Sequence, residues 1–561
     1  MQRILALSLS SLPAISTVPV HAEDRILLAD NGAVAAAWSQ AAPSAPVPEV
    51  VTPPDGGTRI EWSGGVSLDI HNNDASGGAT LNPNPNGSFF QLRAQGDLRA
   101  NQADGGLNWL QFNATRSDDR ALQSVNTLIG SFQGGFSGKD YQVMLGDVTP
   151  DFSSLGTQLG IRGLMARKML GQTVLSGTAG TLAPIWNDLW DRDHRAQYLR
   201  HVAAVKLDTP LGDATRGFVT MQGYSDDTGS LGGAANGFME AADGQLATAG
   251  IVYQKDKLSV VSEFGLSRWN ADSQSSEDDR AFLLDGAWSD QGYTLRGGHH
   301  DLGQYYTSLS SQVTPGIRET YLGGDWQAAT WLALRGDLRR SRNEQAKAVG
   351  SAAALTTNSA ALGQVITFGA DWPNLTLTLN QDISDGETQA DDDIRYKGYG
   401  VLLGYTAQNW NGSLGINQRW VSNDADVAND SRTDGATLQI GRMFMDDPGN
   451  PTWSLGLQAS VGYQFQKLDA GGDNQTIQYG LGLAATRQGW GSLNANYTLG
   501  MVDPTTGADL KNRGYLIEAI HPLKENKGEI KLYAQDNRNF SGNSSLYNRT
   551  RTLGAQVSLP F

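Results

Sequence analysis

From about Thr58 to its end this chain repeats one pattern, runs in which apolar and polar residues alternate one by one between turn-rich breaks. In the clearest run Trp453, Leu455, Leu457, Ala459, Val461, Tyr463 and Phe465 alternate with Ser454, Gly456, Gln458, Ser460, Gly462, Gln464 and Gln466. Others carry Ile477, Tyr479, Leu481 and Leu483 against Gln478, Gly480 and Gly482, or Leu493, Ala495, Tyr497 and Leu499 against Asn494, Asn496 and Thr498. Side chains of an extended strand point to opposite faces in turn, so each run is a strand with one apolar and one polar wall. Repeated through most of the chain, this leaves room for little but β-structure.

A soluble β-sandwich also alternates, so run length and the spacing of the breaks have to decide. The runs are long for sandwich strands. The breaks alternate short and long. Gln102–Gly106, Ser137–Asp140, Lys255–Lys257, Asp371–Asn374, Gln408–Asn411 and Lys524–Lys527 are short, whereas Asn72–Asn86, Asp226–Asp243, Asp301–Gly316, Ser341–Asn358 and Ser422–Asp434 are long. Short turns at one end and long loops at the other are the plan of a transmembrane, antiparallel, up-and-down β-barrel. Counting the runs gives about 26 strands, within about 22–26, with short periplasmic turns, long extracellular loops and both termini on the periplasmic side.

The two termini agree with this address. Leu553, Ala555, Val557, Leu559 and Phe561 share one strand face, and Thr552, Gly554, Gln556 and Ser558 share the other. A last strand that ends on an aromatic residue resembles the closing strand of Gram-negative outer-membrane β-barrels. The resemblance implies that Phe561 is an assembly signal read by the barrel assembly machinery, and that outer-membrane lipid and lipopolysaccharide surround the protein. Pro560 is unusual there, but a strand end need not donate its last ladder bond. At the other terminus Arg3, an apolar run from Ile4 to Val20, and Val20-His21-Ala22 read as a signal peptide over residues 1–22. Residues 23–57, with Pro43, Pro46, Pro48, Pro53 and Pro54, read as a Pro/Ala-rich periplasmic linker, either unstructured or docking a periplasmic partner. The barrel then occupies 58–561. No later stretch is long and apolar enough for a transmembrane helix, and a membrane protein without helices must be a closed barrel.

Composition removes several functions. With no cysteine, thiolate catalysis, Cys-ligated zinc and covalent haem attachment are closed off. A net charge of -16 argues against general nucleic-acid binding. A mean hydropathy of -0.36 fits a barrel whose inner wall and outer loops are polar. No G-x-S-x-G, H-E-x-x-H, Walker A or dinucleotide fingerprint is present, so no enzyme activity and no cofactor are expected.

Barrels of roughly 16–18 strands already hold an aqueous channel, and those of about 22 need a plug. Residues 23–57 are too few for a plug domain, so infolded loops, a flattened cross-section or another molecule must fill the lumen. Alternation puts Phe90, Leu92, Ala94 and Leu98 toward lipid and Gln91, Arg93, Gln95, Asp97 and Arg99 toward the lumen. The same rule turns Asp285, Arg296, His300, Glu319, Asp325, Arg335, Asp337 and Arg339 inward. Both signs are interleaved, which fits a solvated wall whose charges pair across strands.

One segment departs from the repeat. A strand ending in Gly146-Asp147 is followed by Phe152, Leu155 and Leu159 and then by a strand opening on Arg162-Gly163. It resembles a stretch of the translocation pore of chaperone-usher outer-membrane proteins. Similar strands occur in other large secretion barrels. Ushers add plug and periplasmic domains that are not seen here, so the resemblance implies a large translocation-type barrel rather than an usher. Asp147 and Arg162 are expected to form an inward ion pair that pins the loop between them, or that serves as a gating latch. The segment Ala183–Asp193, with Trp186 and Trp190 four apart, reads as an interfacial girdle element or as a short helix folded into the mouth. Acidic loops at Asp385–Asp393 and Asn423–Asp434 offer oxygen ligands but lack the spacing of a calcium loop, so solvated loops are the expectation. His299 and His300 point to opposite faces and make a poor metal site.

These readings converge on a large outer-membrane pore that exports or translocates a macromolecular cargo: a protein, a surface fibre or a polysaccharide. One alternative is a passive or substrate-specific porin closed by its own loops. Another is a structural sheath around a periplasmic electron-transfer partner.

Overall fold

The computed structural model describes residues 58–561 apart from 78–85, 124, 157–159, 193–194, 196, 232–240, 272–273, 309–313, 345–353, 370–371, 387–392, 408, 424–429, 448–450, 470, 506–508, 524–526 and 542–546. The signal-peptide and linker readings lie outside the described residues. So do the middles of both acidic loops.

The described chain forms 26 strands in one sheet. The first are β1 (Arg59–Gly77), β2 (Gly87–Asn101), β3 (Leu107–Ser117), β4 (Thr127–Ser137), β5 (Tyr141–Val148), β6 (Ile161–Leu170), β7 (Thr173–Leu182) and β8 (Leu199–Gly212). Next come β9 (Thr215–Asp227), β10 (Ala242–Lys255), β11 (Leu258–Ala271), β12 (Gln274–Asp290), β13 (Tyr293–Leu302), β14 (Ile317–Ala329), β15 (Leu332–Asn343), β16 (Leu355–Thr367) and β17 (Asn374–Gly386). The rest are β18 (Ile394–Thr406), β19 (Trp410–Asn423), β20 (Ser431–Met445), β21 (Trp453–Leu468), β22 (Asn474–Arg487), β23 (Gly491–Pro504), β24 (Leu510–Pro522), β25 (Glu529–Ser541) and β26 (Asn548–Pro560).

Each strand pairs antiparallel with its sequence neighbours, and β1 pairs with β26, so the sheet closes into an up-and-down barrel. The closing register runs from Gly65↔Pro560 to Gly77↔Asn548. At the seam the Gly64 N–H donates to the Phe561 carbonyl and the Phe561 N–H donates to the Gly64 carbonyl, both at 3.0 Å. The Phe561 ring lies 5.0 Å from the Trp62 ring, over Gly64. A Cβ at Gly64 would sit 2.7 Å from the Phe561 ring, so this rung needs glycine.

The outward register is apolar: Leu553, Leu559, Val66, Ile70, Leu98, Leu481, Leu532 and their equivalents are large and exposed. A closed barrel with an apolar outer wall satisfies every backbone group internally and presents hydrocarbon to lipid, as an outer-membrane β-barrel must. β1 begins and β26 ends at one rim, which is the periplasmic one in such barrels, and the opposite rim is extracellular. The difference between long and short connections is clear through β16, except for the two-residue connection 272–273 at the extracellular rim, and fades after it, where 446–452 at the periplasmic rim is no shorter than 469–473 opposite.

Candidate functional site: the channel lumen

A packed core sits inside the barrel, against one part of its wall. After β5 the chain turns inward. Gly146, at φ +104°, allows the change of direction, and a Cβ there would collide with the Phe132 carbonyl. The following segment carries Phe152 and Leu155, both buried, the latter completely. Its polar groups dock on distant strands. The Leu155 N–H donates to Glu263 Oε2 on β11 at 3.1 Å. Tyr306, after β13, donates its hydroxyl to the Leu155 carbonyl at 3.1 Å, and Ser308 donates to the Gly156 carbonyl at 2.9 Å. The hydroxyls of Ser153 and Thr248 on β10 lie 3.4 Å apart. Beneath the segment Val148, Ile161, Val202 and Tyr224 form an apolar cluster with Met144, Met165, Leu182 and Trp269 around it. Leu231, Leu283 and Tyr306 are also fully buried on this side.

The inner wall of β12–β15 is charged and knitted together. Arg296 reaches Asp325 at 2.8 Å and Asp337 at 2.5 Å, and Arg335 lies 3.1 Å from Asp337. His300 Nε2 is 2.9 Å from Asp285 Oδ1, to which the Tyr321 hydroxyl also donates, and Arg339 pairs with Glu319. All eight residues assigned inward here from alternation fall in this network. His299, on the other face, meets Thr320 at 2.8 Å. On β2 Arg99 binds Asp97 through two contacts of 3.0 Å, Gln111 donates to the same carboxylate at 2.6 Å, and Arg93 is exposed on the same face.

Asp147 and Arg162 correct the expectation. They pair, with Arg162 Nε 3.4 Å from Asp147 Oδ1, but their register sets them with Leu145 and Leu164 on the outward side. They hold a different segment from the one between them. β5 pairs with β4 only from Gln133 to Ser137, so the upper edge of β4 is left without a strand. The 3-10 turn Trp186–Leu189 covers that edge. Asn187 donates to the Thr127 carbonyl at 2.8 Å, and Trp186 packs edge-on against Phe132 at 5.9 Å. Asp147 accepts from Trp186 Nε1 at 2.9 Å and from the Phe132 N–H at 2.7 Å, while Arg162 donates to the Ala183 and Pro184 carbonyls. Trp186 is thus a wall patch rather than a free girdle residue or a mouth plug; Trp190 remains exposed.

Sequence reading missed Glu263 and a second inward cluster at the seam. His71 bridges Asp69 at 2.8 Å and Asp119 at 3.0 Å, tying the β3–β4 connection to β1 through the buried Asp119, and Tyr533 on β25 donates to Asp69 at 2.9 Å. The one available signal was a charged residue recurring on the inward register of a strand, which many wall residues share. Among the described residues no group of three or more His, Asp or Glu is gathered to hold a metal ion.

From β16 to β26 the inner wall changes character. Its inward register is mostly Asn, Gln, Ser, Thr and Gly, as in Gln458, Ser460, Gln464 and Gln466, then Asn494, Asn496 and Thr498. Charge is sparse there: Asp382, Arg419, Glu518, Glu529 and Lys531, the last paired with Glu518. Few buried residues lie on this side.

No family model and no curated protein matches the chain. Solved structures of outer-membrane barrels do. The siderophore receptor PirA from Pseudomonas aeruginosa is 9% identical, covering 89% of this chain and 80% of its own, with a TM-score of 0.40. The P pilus usher (PapC) translocation pore is 11% identical, covering 89% and 99%, with a TM-score of 0.29. Pseudomonas aeruginosa OpdK with vanillate is 13% identical, covering 62% and 99%, with a TM-score of 0.28. At such scores the neighbours say nothing about what passes through this barrel.

Proposed function

We propose that the protein is an outer-membrane conduit for a large, hydrophilic, weakly charged polymer, an exported polysaccharide being the cargo that fits best. One observation carries this reading: among the described residues the lumen is packed against β5–β14, whereas nothing described covers the wall of β16–β26, where charge is sparse. Twenty-six strands at about 4.8 Å spacing and about 40° tilt would, as a circle, stand about 50 Å apart across the barrel. Among the described residues, the infolded segment Thr149–Gly156 and the parts of neighbouring loops packed on it are far too small to fill that width. A wall of amides and hydroxyls exchanges hydrogen bonds with a sugar chain at little net cost and offers no charged patch to arrest it. Charged macromolecules would have to leave their counterions or meet the paired charges of β12–β15.

The infolded segment itself favours a second reading, a porin narrowed by its own loops. Dextrans of graded size separate the two. Purified protein in liposomes should release neutral dextrans well beyond the size that a porin of about 16–18 strands admits. A porin-like size limit would overturn the polymer reading and leave the second.

A further inference from the structure

The outer surface near the extracellular rim carries a feature that the passage of cargo does not use. On β24, β25 and β26 the outward register changes from apolar to basic. Ile517, Ala534, Leu553 and Ala555 give way, toward the rim, to Arg513, Arg538, Arg549 and Arg551. Arg538 lies 2.8 Å, Arg549 2.6 Å and Arg551 3.8 Å from Asp536 Oδ2, a carboxylate with no exposed side-chain surface. One acid thus gathers three guanidinium groups on a chain whose net charge is -16. Arg513, beside them, stands over the Phe540 ring at 6.0 Å. Tyr515 donates to Asp536 at 3.4 Å and closes the upper end of a shallow apolar groove on the same outer face, lined by Leu457, Leu481, Tyr497 and Ile517. Asp536 fixes the arginines with their forks held together, two charges in excess, immediately above hydrocarbon-facing side chains.

We propose that this cluster binds the phosphate groups of a phosphorylated, multiply acylated glycolipid of the outer leaflet, with its acyl chains along the groove below. Arginine forks match phosphate oxygens bidentately, and several together on a positively charged patch outcompete a single lysine. The depth fits only a lipid. The forks sit at the junction of apolar and polar surface, where a headgroup lies, and the apolar register beneath them is where chains would run. A soluble phosphate would gain nothing from that strip. A second basic cleft on the outer face, with Arg395, Lys397 and Trp420, lies at the same rim.

The test uses the full chain purified in mild detergent and titrated with bisphosphorylated lipid A. Arg549→Gln with Arg551→Gln removes two forks; Arg513→Gln removes one without touching the partners of Asp536. The control is Arg93→Gln with Arg99→Gln, which deletes the same charge from the inner wall. Affinity should fall about tenfold or more in each outward variant, as expected for a lost charge-assisted bond, and stay unchanged in the control. Inorganic phosphate at equal concentration should not compete. Assembly is checked by heat-modifiable migration, and Arg513→Gln carries the test if the double variant does not assemble. Unchanged affinity in the outward variants, an equal loss in the control, or displacement of the lipid by inorganic phosphate would each overturn the proposal.

Discussion

Removing the apolar anchors of the infolded segment should release it from the inner wall without unfolding the barrel. Phe152 and Leu155 are buried against the inner wall, yet neither contributes a rung to the sheet. Truncating a buried Phe or Leu to Ala costs about 2–5 kcal/mol. The two share one environment and do not add fully, so about 5 kcal/mol is expected for Phe152→Ala with Leu155→Ala. That corresponds to a shift of roughly 10³–10⁴ in the ratio of docked to undocked segment. The chain has no cysteine, so Ser153→Cys installs a single reporter at a position that is buried when docked. A membrane-impermeant thiol reagent should modify Cys slowly in the otherwise natural chain. In the double variant modification should be faster by up to that factor. Conductance in planar bilayers should rise only modestly, because the segment occupies a small part of the lumen, while heat-modifiable migration stays unchanged. Slow modification and unaltered conductance in a correctly assembled double variant would refute the view that this segment is held in the lumen by these two side chains.

Deleting Phe561 should cut the amount of barrel assembled several-fold, measured as the heat-modifiable fraction, and leave conductance per assembled barrel unchanged. Gly64→Leu should do the same, because its side chain would occupy the place of the Phe561 ring. Asp147→Ala leaves the Trp186 indole and the Phe132 N–H without their acceptor, at about 1–3 kcal/mol each; limited proteolysis should then cut within 183–198 while conductance holds. At the periplasmic rim the hydroxyl and N–H of Thr452, with the Trp453 N–H, hold the Asp446 carboxyl down at about 2. A depressed value stabilises the turn above the ordinary carboxylate range of about 4 and loses that contribution as pH falls toward 2. Hydrogen exchange at the Thr452 and Trp453 amides should therefore accelerate between those values, and Asp446→Asn should abolish the acceleration.

Strand number, closure and the inward set of β12–β15 were legible because those walls face water on one side and lipid on the other, so polarity tracks side-chain direction. The orientation of Asp147 and Arg162 was not. Their strands pack against protein on the inner side, where Met144, Val148, Ile161 and Met165 are apolar. With both faces apolar the polar residues no longer mark the lumen, and a charged pair there reads as inward when it is not. The same loss of contrast hides the core at Val202 and Leu283. Glu263 was invisible for a further reason: its partner, Leu155, is far away in sequence and reaches it only because a loop crosses the lumen.

The pairing of Gly64 with Phe561 also sets a timetable. Its two members stand almost a whole chain apart, so this rung has the greatest sequence separation in the sheet, and the loop closed by it is the costliest in entropy. Until Phe561 reaches Gly64 the seam is incomplete, and β1 offers an unpaired, apolar edge of the kind that templates aggregation. Closure is therefore expected in one late step, and agents that delay delivery of the final strand should arrest the chain as an open sheet rather than as a smaller barrel.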